Sequence, residues 1–387
     1  MFTYTKEELI EKKAINTAEE INQQPDVWEK VWGQGAAERE KAQKFIKEIF
    51  NQHVRGRVIF TGAGTSAFIG DMLVPELIQH LPAHVQVEAT PTTELVSNPK
   101  NYFREDIPTV LVSFGRSGNS PESVAATELG QKIVDDFYQI VITCNEDGTL
   151  ARNIEEDENS KLLLLPPETH DKGFAMTSSF SAMALTAYLI FAKENVYEDH
   201  LSAFIANARH ALKNLDNIID QVLTVDFERL VYLGSGTLGQ ASHEAALKML
   251  ELTAGKVVAL HESSLGFRHG PKSVLNKQSV AVVLVSRNPY TRKYDLDMIK
   301  ELSNEDALSK VIALTDGQDE EVKQLADLTF VMAENPVPND FFLSLNYMLF
   351  AQVLSLRTSL KLGITPDNPS PEGSLNRVVQ GVTIYDY

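Results

Sequence analysis

One stretch of this chain is written twice. Arg57-Val-Ile-Phe-Thr-Gly62-Ala-Gly64-Thr65 returns as Arg229-Leu-Val-Tyr-Leu-Gly234-Ser-Gly236-Thr237, 172 residues later. Val110-Leu-Val-Ser113 returns as Val283-Leu-Val-Ser286 at 173, Gln139–Thr143 as Val311–Thr315 at 172, and Leu162–Leu165 is answered by Leu328–Met332. Matches in one order at nearly one spacing imply a duplicated domain. Each run is short and apolar, ends at a turn, and is followed by a helical pattern. That alternation predicts parallel strands covered on both faces by helices. The expected fold is therefore α/β: two tandem domains, each a parallel five-stranded sheet flanked by helices in an α-β-α sandwich. In the first copy the strands fall at Arg57–Thr61, Val85–Glu88, Thr109–Val112, Gln139–Thr143 and Lys161–Leu165.

The expected boundaries are a helical segment at 1–44, a first domain at 45–197, a second at 213–365 and a tail at 366–387. A charged helical segment around 196–225 links the copies. Ala36–Phe50 is amphipathic, with Phe45, Ile46, Ile49 and Phe50 on one side. Gly173–Lys193 reads as a long apolar helix, and Asp340–Lys361 as another, ended by Gly363 and Pro366. The tail is rich in Pro, Gly and Asn. Its run Val378–Tyr385 looks strand-like, and Leu375, Val378, Val379, Val382 and Ile384 give it something to bury. That predicts a tail folded over a site.

Composition narrows the function. The 387 residues are 43% hydrophobic, enough for a sizeable core, and the net charge of −18 argues against non-specific nucleic-acid binding. Cys144 is the only cysteine, so neither a disulfide framework nor a thiolate metal cluster is expected, and a reducing cytoplasm fits. The start, Met-Phe-Thr-Tyr-Thr-Lys-Glu-Glu, has no signal-peptide core. The longest apolar stretch, Phe180–Ala192, is too short to span a bilayer.

The loop after Val110–Val112 is crowded with small hydroxyl residues and glycine: Ser113, Gly115, Ser117, Gly118, Ser120 and Ser123. Pro121 and Glu122 suit the first turn of a helix with Ser120 as N-cap. A strand feeding a helix through such a loop aims N–H groups and hydroxyls at one point, which suits a phosphate. The second copy has Arg287-Asn-Pro-Tyr290 after its own Val-Leu-Val-Ser, so the phosphate loop belongs to the first. Gly62-x-Gly64-x-x-Ala67 and Gly234-x-Gly236-x-x-Gly239 also match the dinucleotide fingerprint, with Glu88 as candidate ribose acid, although Glu88 lies late for that role. His243-Glu244 begins a zinc-protease motif whose second histidine is replaced by Leu247, and Ser117 stands in no Gly-x-Ser-x-Gly elbow, so no metal site is expected. Glu244, Lys248 and Glu251 share a helix face. They form either a solvated ion-paired face or a set of proton carriers, and the apolar residues around them favour the second. His269 follows in a Gly/Pro-framed loop, Phe267-Arg-His-Gly-Pro271, with a side chain that titrates near neutrality.

Taken together, the Gly-x-Gly-Thr-Ser turn, the Ser-Gly-Asn-Ser loop, the Glu-x-x-x-Lys-x-x-Glu helix and the His-Gly-Pro loop resemble the sugar isomerase (SIS) domain family, over roughly residues 45–365. The resemblance implies that Ser66, Ser117 and Ser120 bind a sugar phosphate. It also implies that Lys248 and Glu251 handle proton transfer, and that His269 opens the sugar ring from a neighbouring subunit. Thr65, Gly118 and Asn119 complete the expected phosphate site. Gly64, Thr177, Ser178 and Arg377 are further candidate substrate contacts, and Glu244 is expected to orient Lys248. Members of the family that add ammonia to a ketose carry an N-terminal cysteine glutaminase and a Schiff-base lysine near the C-terminus. Here no such glutaminase precedes the repeat and Arg377 stands near that lysine's place; arginine cannot form the imine. The tail 367–380 resembles the galactosamine-catabolism branch, which implies D-galactosamine 6-phosphate and water going to D-tagatose 6-phosphate and ammonia. Plain aldose–ketose isomerisation and a non-catalytic sugar-phosphate sensor are the alternatives. No cofactor, nucleic acid or membrane partner is expected. The expected partners are a small sugar phosphate and further copies of the chain, as a homodimer or larger homo-oligomer with a shared site.

Overall fold

Two parallel sheets carry the described strands of this computed structural model, which describes residues 1–192, 196–373, 376–377, 379 and 381–387. The first sheet contains β1 (Gly56–Thr61), β2 (Val85–Ala89), β3 (Thr109–Gly115), β4 (Phe137–Thr143) and β5 (Ser160–Leu164), in the order β2-β1-β3-β4-β5. The second contains β6 (Arg229–Gly234), β7 (Val258–Ser263), β8 (Ser279–Leu284), β9 (Lys310–Asp316) and β10 (Leu328–Ala333), in the order β7-β6-β8-β9-β10. Counted from its own first strand, each sheet runs 2-1-3-4-5, so the duplication read from the sequence is a duplication of topology. The inner strands β1 and β8 are buried along their whole length, as a sheet covered on both faces requires.

The turns after β1 and β6 repeat almost to the degree. Gly64 has φ 56° and ψ −130°, and Gly236 has φ 57° and ψ −129°. An L side chain rarely adopts that conformation, which is why glycine stands at both positions. One expected equivalence is displaced. Arg57 pairs with Thr109 and Arg229 with Ser279, so the counterpart of Val110 is Val280 rather than Val283. The matching Val-Leu-Val-Ser letters are three residues out of register. The run from Val280 to Val285 is apolar and buried throughout, and a strand buried on both faces has no alternation to fix its phase.

The chain divides into two compact units. One comprises Asp26–Asp171, Met176–Asn195 and Gly373–Tyr387, and holds the first sheet; the other comprises Met1–Pro25, Lys172–Ala175 and Val196–Glu372, and holds the second. In the first unit Phe60 stacks on Phe114 at 6.1 Å and meets Phe191 edge-on at 5.1 Å. The helix Ala36–Gln52 lies on this core through Ala42, Ile46, Ile49 and Phe50. Phe45 is half-buried beneath the Lys161 ammonium. The apolar helix expected from Gly173 begins only at Ser178 and runs to Phe191; Lys193 lies outside the described residues. Its start is set by Asp171, whose carboxylate accepts the Thr177, Ser178 and Ser179 amides at 2.8, 3.2 and 2.9 Å.

In the second unit the charged segment near 196–225 is one helix, Glu198–Val222, with Leu201, Phe204, Leu215, Ile219 and Val222 buried. The helix Asp340–Lys361 packs on it, on Thr237–Leu252 and on β10. The amino-terminal helices close this unit: Asp367 accepts from the amides of Asn16 at 3.1 Å and Thr17 at 2.8 Å, and the Gln24 amide donates to Gln352 at 2.7 Å. The strand expected over Val378–Tyr385 does not form among its described residues, and Val379, Ile384 and Tyr385 are exposed. Leu375 and Val378 lie outside the described residues. No described helix is long and apolar enough to cross a membrane.

Candidate active site

In the first unit, the chain leaves β1 toward β2 on one side and leaves β3 toward β4 on the other. The gap between the β1 and β3 ends is thus the topological switch point, where open α/β sheets take ligands. Both hydroxyl motifs flank it: the turn through Gly64, Thr65 and Ser66 follows β1, and residues 116–120 follow β3. The loop is held from behind. The Thr143 hydroxyl donates to Gly115 O at 2.7 Å, the Asn145 amide to Ser117 O at 2.8 Å, and the Leu150 N–H to Gly118 O at 3.0 Å. Asn119 Oδ1 accepts from the Thr149 amide at 2.9 Å and hydroxyl at 3.0 Å, so Asn119 works as a latch. Gly118 has φ 65° and comes within 3.1 Å of where a Gly148 side chain would begin. Ser120 is the N-cap of the helix Pro121–Ile133 but makes no side-chain cap bond, and Ser117 is half-buried. Both hydroxyls stand at a helix start where free amides and the dipole favour an anion. Beneath them the Ser113 hydroxyl is buried with no partner among the described residues, and its register counterpart is Val283.

Sequence reasoning missed Arg116 and Asp171. Arg116 is buried within the serine loop and donates to the Arg377 carbonyl at 2.9 Å, while the Arg377 guanidinium donates to Asp171 O. Arg377, Thr177 and Ser178 therefore gather around one residue, Asp171, beside the loop that carries Arg116. His170 lies among them; burial lowers its pKa, and the charges of Arg377 and Arg116 lower it further. Two arginines, Arg116 and Arg377, thus meet at this end of the sheet in an acidic chain. A lone arginine in a run of Ser and Gly was the available signal, as was Asp171 six residues before a Thr-Ser-Ser start.

In the second unit the helix Thr237–Leu252 gathers Glu244, Lys248 and Glu251. The Lys248 ammonium lies 3.2 Å from Glu244 and 2.5 Å from Glu251. The side chains of Lys248 and Glu244 are 0% exposed and that of Glu251 is 23% exposed, so the solvated-face alternative fails. Burial pulls the Lys248 pKa down, but the charges and hydrogen bonds of Glu244 and Glu251 outweigh it and leave the pKa raised. Two carboxylates around one ammonium carry a net charge of −1, and Glu251 is the member that reaches solvent. Such a carboxylate can take a proton from a bound molecule without unpairing the lysine. His269 is not hydrogen-bonded to this set: it ends a short 3-10 turn, Gly266–His269, is exposed, and its side chain makes no hydrogen bond among the described residues.

The rival readings lose their residues. Glu88 is held in a fork by Arg57, at 2.7 and 2.6 Å, so the acid expected of a dinucleotide site is spent within the sheet. His243 stacks on His261 at 3.9 Å; burial and the facing ring depress its pKa to about 4. Among the described residues no group of three or more His, Cys, Asp or Glu is placed to hold a metal ion.

Known proteins share this fold. The chain is 43% identical over 382 residues to a D-galactosamine-6-phosphate deaminase, AgaS, of Shewanella sp. (strain ANA-3), covering 98% of this chain and 94% of that one. A solved structure from Clostridium novyi NT matches at 40% identity and TM-score 0.96, covering 100% of this chain and 99% of the other. The Escherichia coli tagatose-6-phosphate ketose/aldose isomerase structure matches at 39% identity and TM-score 0.88 over 96% of each chain. The SIS domain model matches twice, at 52–193 and 225–356, one match over each sheet. With two tandem copies of that domain, the chain belongs to the SIS domain family.

Proposed function

We propose that this protein is an isomerising deaminase of an amino-sugar phosphate, converting D-galactosamine 6-phosphate and water to D-tagatose 6-phosphate and ammonia. The observation that carries the chemistry is the buried Glu244–Lys248–Glu251 set with only Glu251 open to solvent. The AgaS relatives, 41–43% identical over nearly the whole chain, support the substrate. In this reading Ser66, Ser117, Ser120 and the amides at the Pro121 helix start hold the phosphate, with Thr65, Gly118 and Asn119 shaping the cradle. His269, supplied by a second copy of the chain, moves the proton that opens the pyranose. The free aldehyde acidifies the proton on C2, Glu251 takes it, and an enolamine forms. Return of that proton to C1 leaves an imine at C2. Water adds to C2 and ammonia departs, giving the ketose. Lys248, fully buried, acts through Glu251 by fixing its carboxylate with a hydrogen bond at 2.5 Å; contact with the sugar O1 requires that ammonium to become exposed. Glu244 supplies the second negative charge that keeps Lys248 protonated while Glu251 cycles. The protein works as a cytoplasmic homo-oligomer in amino-sugar breakdown.

The name of the Escherichia coli structure favours a second reading, aldose–ketose isomerisation without loss of nitrogen. Ammonia release measured across galactosamine, glucosamine and mannosamine 6-phosphates separates the two. Stoichiometric ammonia and ketose from the galactosamine ester is the expected result. Ketose formed from an aldose 6-phosphate, with no ammonia from any hexosamine ester, would overturn it.

A further inference from the structure

One carboxylate holds the loop that carries His269 by both of its flanks. Arg268 and Lys272 stand on either side of His269-Gly270-Pro271, and both reach Glu301 on the helix Thr291–Ser303. Arg268 Nε donates to Glu301 Oε2 at 2.6 Å, and the Lys272 ammonium donates to Glu301 Oε1. Each oxygen of Glu301 thus takes one flank. Lys272 donates to Glu305 as well. The Lys272 hydrogen bond, against the effect of burial, and then the Arg268 hydrogen bond hold the Glu301 pKa below the usual glutamate range. Between the flanks the backbone turns at Gly270, with φ 123°, a conformation that L side chains rarely adopt. His269 itself is exposed.

Folding does not require this bridge. Phe267 is buried in one cluster with Met298, Ile299 and Leu302 of the same helix, and Val274 and Leu275 pack against that cluster. The loop is therefore anchored at both ends by apolar contacts. Glu301 is 30% exposed, and ion pairs so open to solvent add little stability. What the bridge removes is the freedom of the segment between those anchors to swing.

We propose that Glu301 is the positioning residue of His269: by binding Arg268 and Lys272 with one carboxylate it fixes where the imidazole stands for the sugar of the second copy. This rests on the reaction proposed above, in which His269 moves the ring-opening proton. Opening a pyranose breaks the C1–O5 bond, puts one proton on O5 and takes one from O1. The imidazole nitrogen must then come within about 2.6–3.2 Å of an oxygen it serves. A misplacement of about 1 Å can cost on the order of 10²-fold in rate. An exposed side chain on an unbraced loop would not hold that tolerance.

The test is a double-mutant cycle on the full chain. Turnover is read as ketose 6-phosphate formed from galactosamine or galactose 6-phosphate, the product under either reading above. His269→Ala is expected to lower kcat by about 10²–10⁴-fold. Glu301→Ala is expected to lower kcat by roughly 10–100-fold, with KM within about twofold of the wild type and the melting temperature within about 2–4 °C of it. In the His269→Ala background the same change is expected to cost nothing further, to within about twofold. Arg268→Met, which frees one flank only, is expected to lower kcat in the same direction by less. Glu305→Ala leaves both bonds to Glu301 in place and is expected to turn over as the wild type does. Losses from Glu301→Ala and His269→Ala that multiply, a change confined to KM, or equal losses from Glu301→Ala and Glu305→Ala overturn the proposal. Normal turnover of Glu301→Ala beside an impaired His269→Ala overturns this inference alone. Normal turnover of His269→Ala overturns the role of His269 in the proposed reaction, and this inference with it.

Discussion

The two copies share a backbone and differ in what stands at the ends of their strands. In the first, the switch point is ringed by hydroxyls, free amides and Arg116. In the second, the corresponding ends are acidic. Asp295 accepts from the Ser264 hydroxyl at 2.6 Å, the Ser286 amide at 3.0 Å and the Ser235 hydroxyl at 3.2 Å, and Asp340 takes the Arg287 amide at 3.0 Å. Asp316 faces Arg287 at 3.7 Å. Where the first copy has Ser66 the second has Leu238. The donors that would receive an anion in the second copy are already occupied by carboxylates of the chain itself. Duplication thus supplied two equal scaffolds. One keeps the hydroxyl-rich loop proposed to hold an anion, and the other fills the corresponding place with its own carboxylates and carries, on the helix after β6, the buried Glu244–Lys248–Glu251 set proposed to move protons.

Four experiments break or sharpen that contrast. Glu251→Gln is expected to lower turnover by about 10²–10⁴-fold with little change in sugar-phosphate affinity, since the loss falls on proton transfer alone; normal turnover would remove the second copy from the chemistry. Lys248→Met leaves the fully buried Glu244 carboxylate without its counter-charge and is expected to cost about 3–5 kcal/mol in denaturant unfolding, whereas an exposed pair would cost well under that. Ser117→Ala and Ser120→Ala are each expected to weaken phosphate-ester binding by roughly tenfold to a hundredfold, the worth of a hydrogen bond to a charged group. With both changed, calorimetry should detect no residual phosphate on the second copy.

The fourth experiment reads a pH dependence. Burial raises the Asp295 carboxyl to about 6, against the pull of Ser264, Ser286 and Ser235. Its unfolded-state value is near 3.9, so the folded state holds the proton longer. The stability this group contributes is full below about pH 4 and is lost as pH rises through about 6. Asp295→Asn abolishes that dependence. Its unfolding free energy should gain on the wild type between pH 4 and pH 7, by an amount on the order of 3 kcal/mol; parallel curves would mean that Asp295 is not the titrating group.

The repeated turn was legible in the sequence because its backbone demands glycine, and only a few residue types tolerate the place. The parallel five-stranded sheet of each copy was legible in the alternation of apolar runs and helical patterns, whereas the order 2-1-3-4-5 is one of several that such an alternation allows. Other features were not legible. The i, i+4 and i+7 spacing of Glu244, Lys248 and Glu251 is the same whether a helix face is wet or dry, so its burial is decided by the elements packed on that helix, Asp340–Lys361, β6 and β7. The start of the apolar helix at Ser178 depends on Asp171, a cap that hydropathy does not mark. The phase of β8 could not be read, because an apolar run without alternation fits several registers. His269 was picked out by its loop, but nothing in the single chain gives it a partner.

The bonds from Asp367 to Asn16 and Thr17 span 351 and 350 positions of the chain. A ribosome adding about 5–20 residues per second takes on the order of 20–70 s to make that span. For all of that time the earliest helices have been released while the surface that shelters them does not yet exist. The apolar side of Ile15–Asn22 is therefore a natural stop for holding chaperones, and a bulky fusion placed ahead of Met1 bears on the last step of maturation rather than the first.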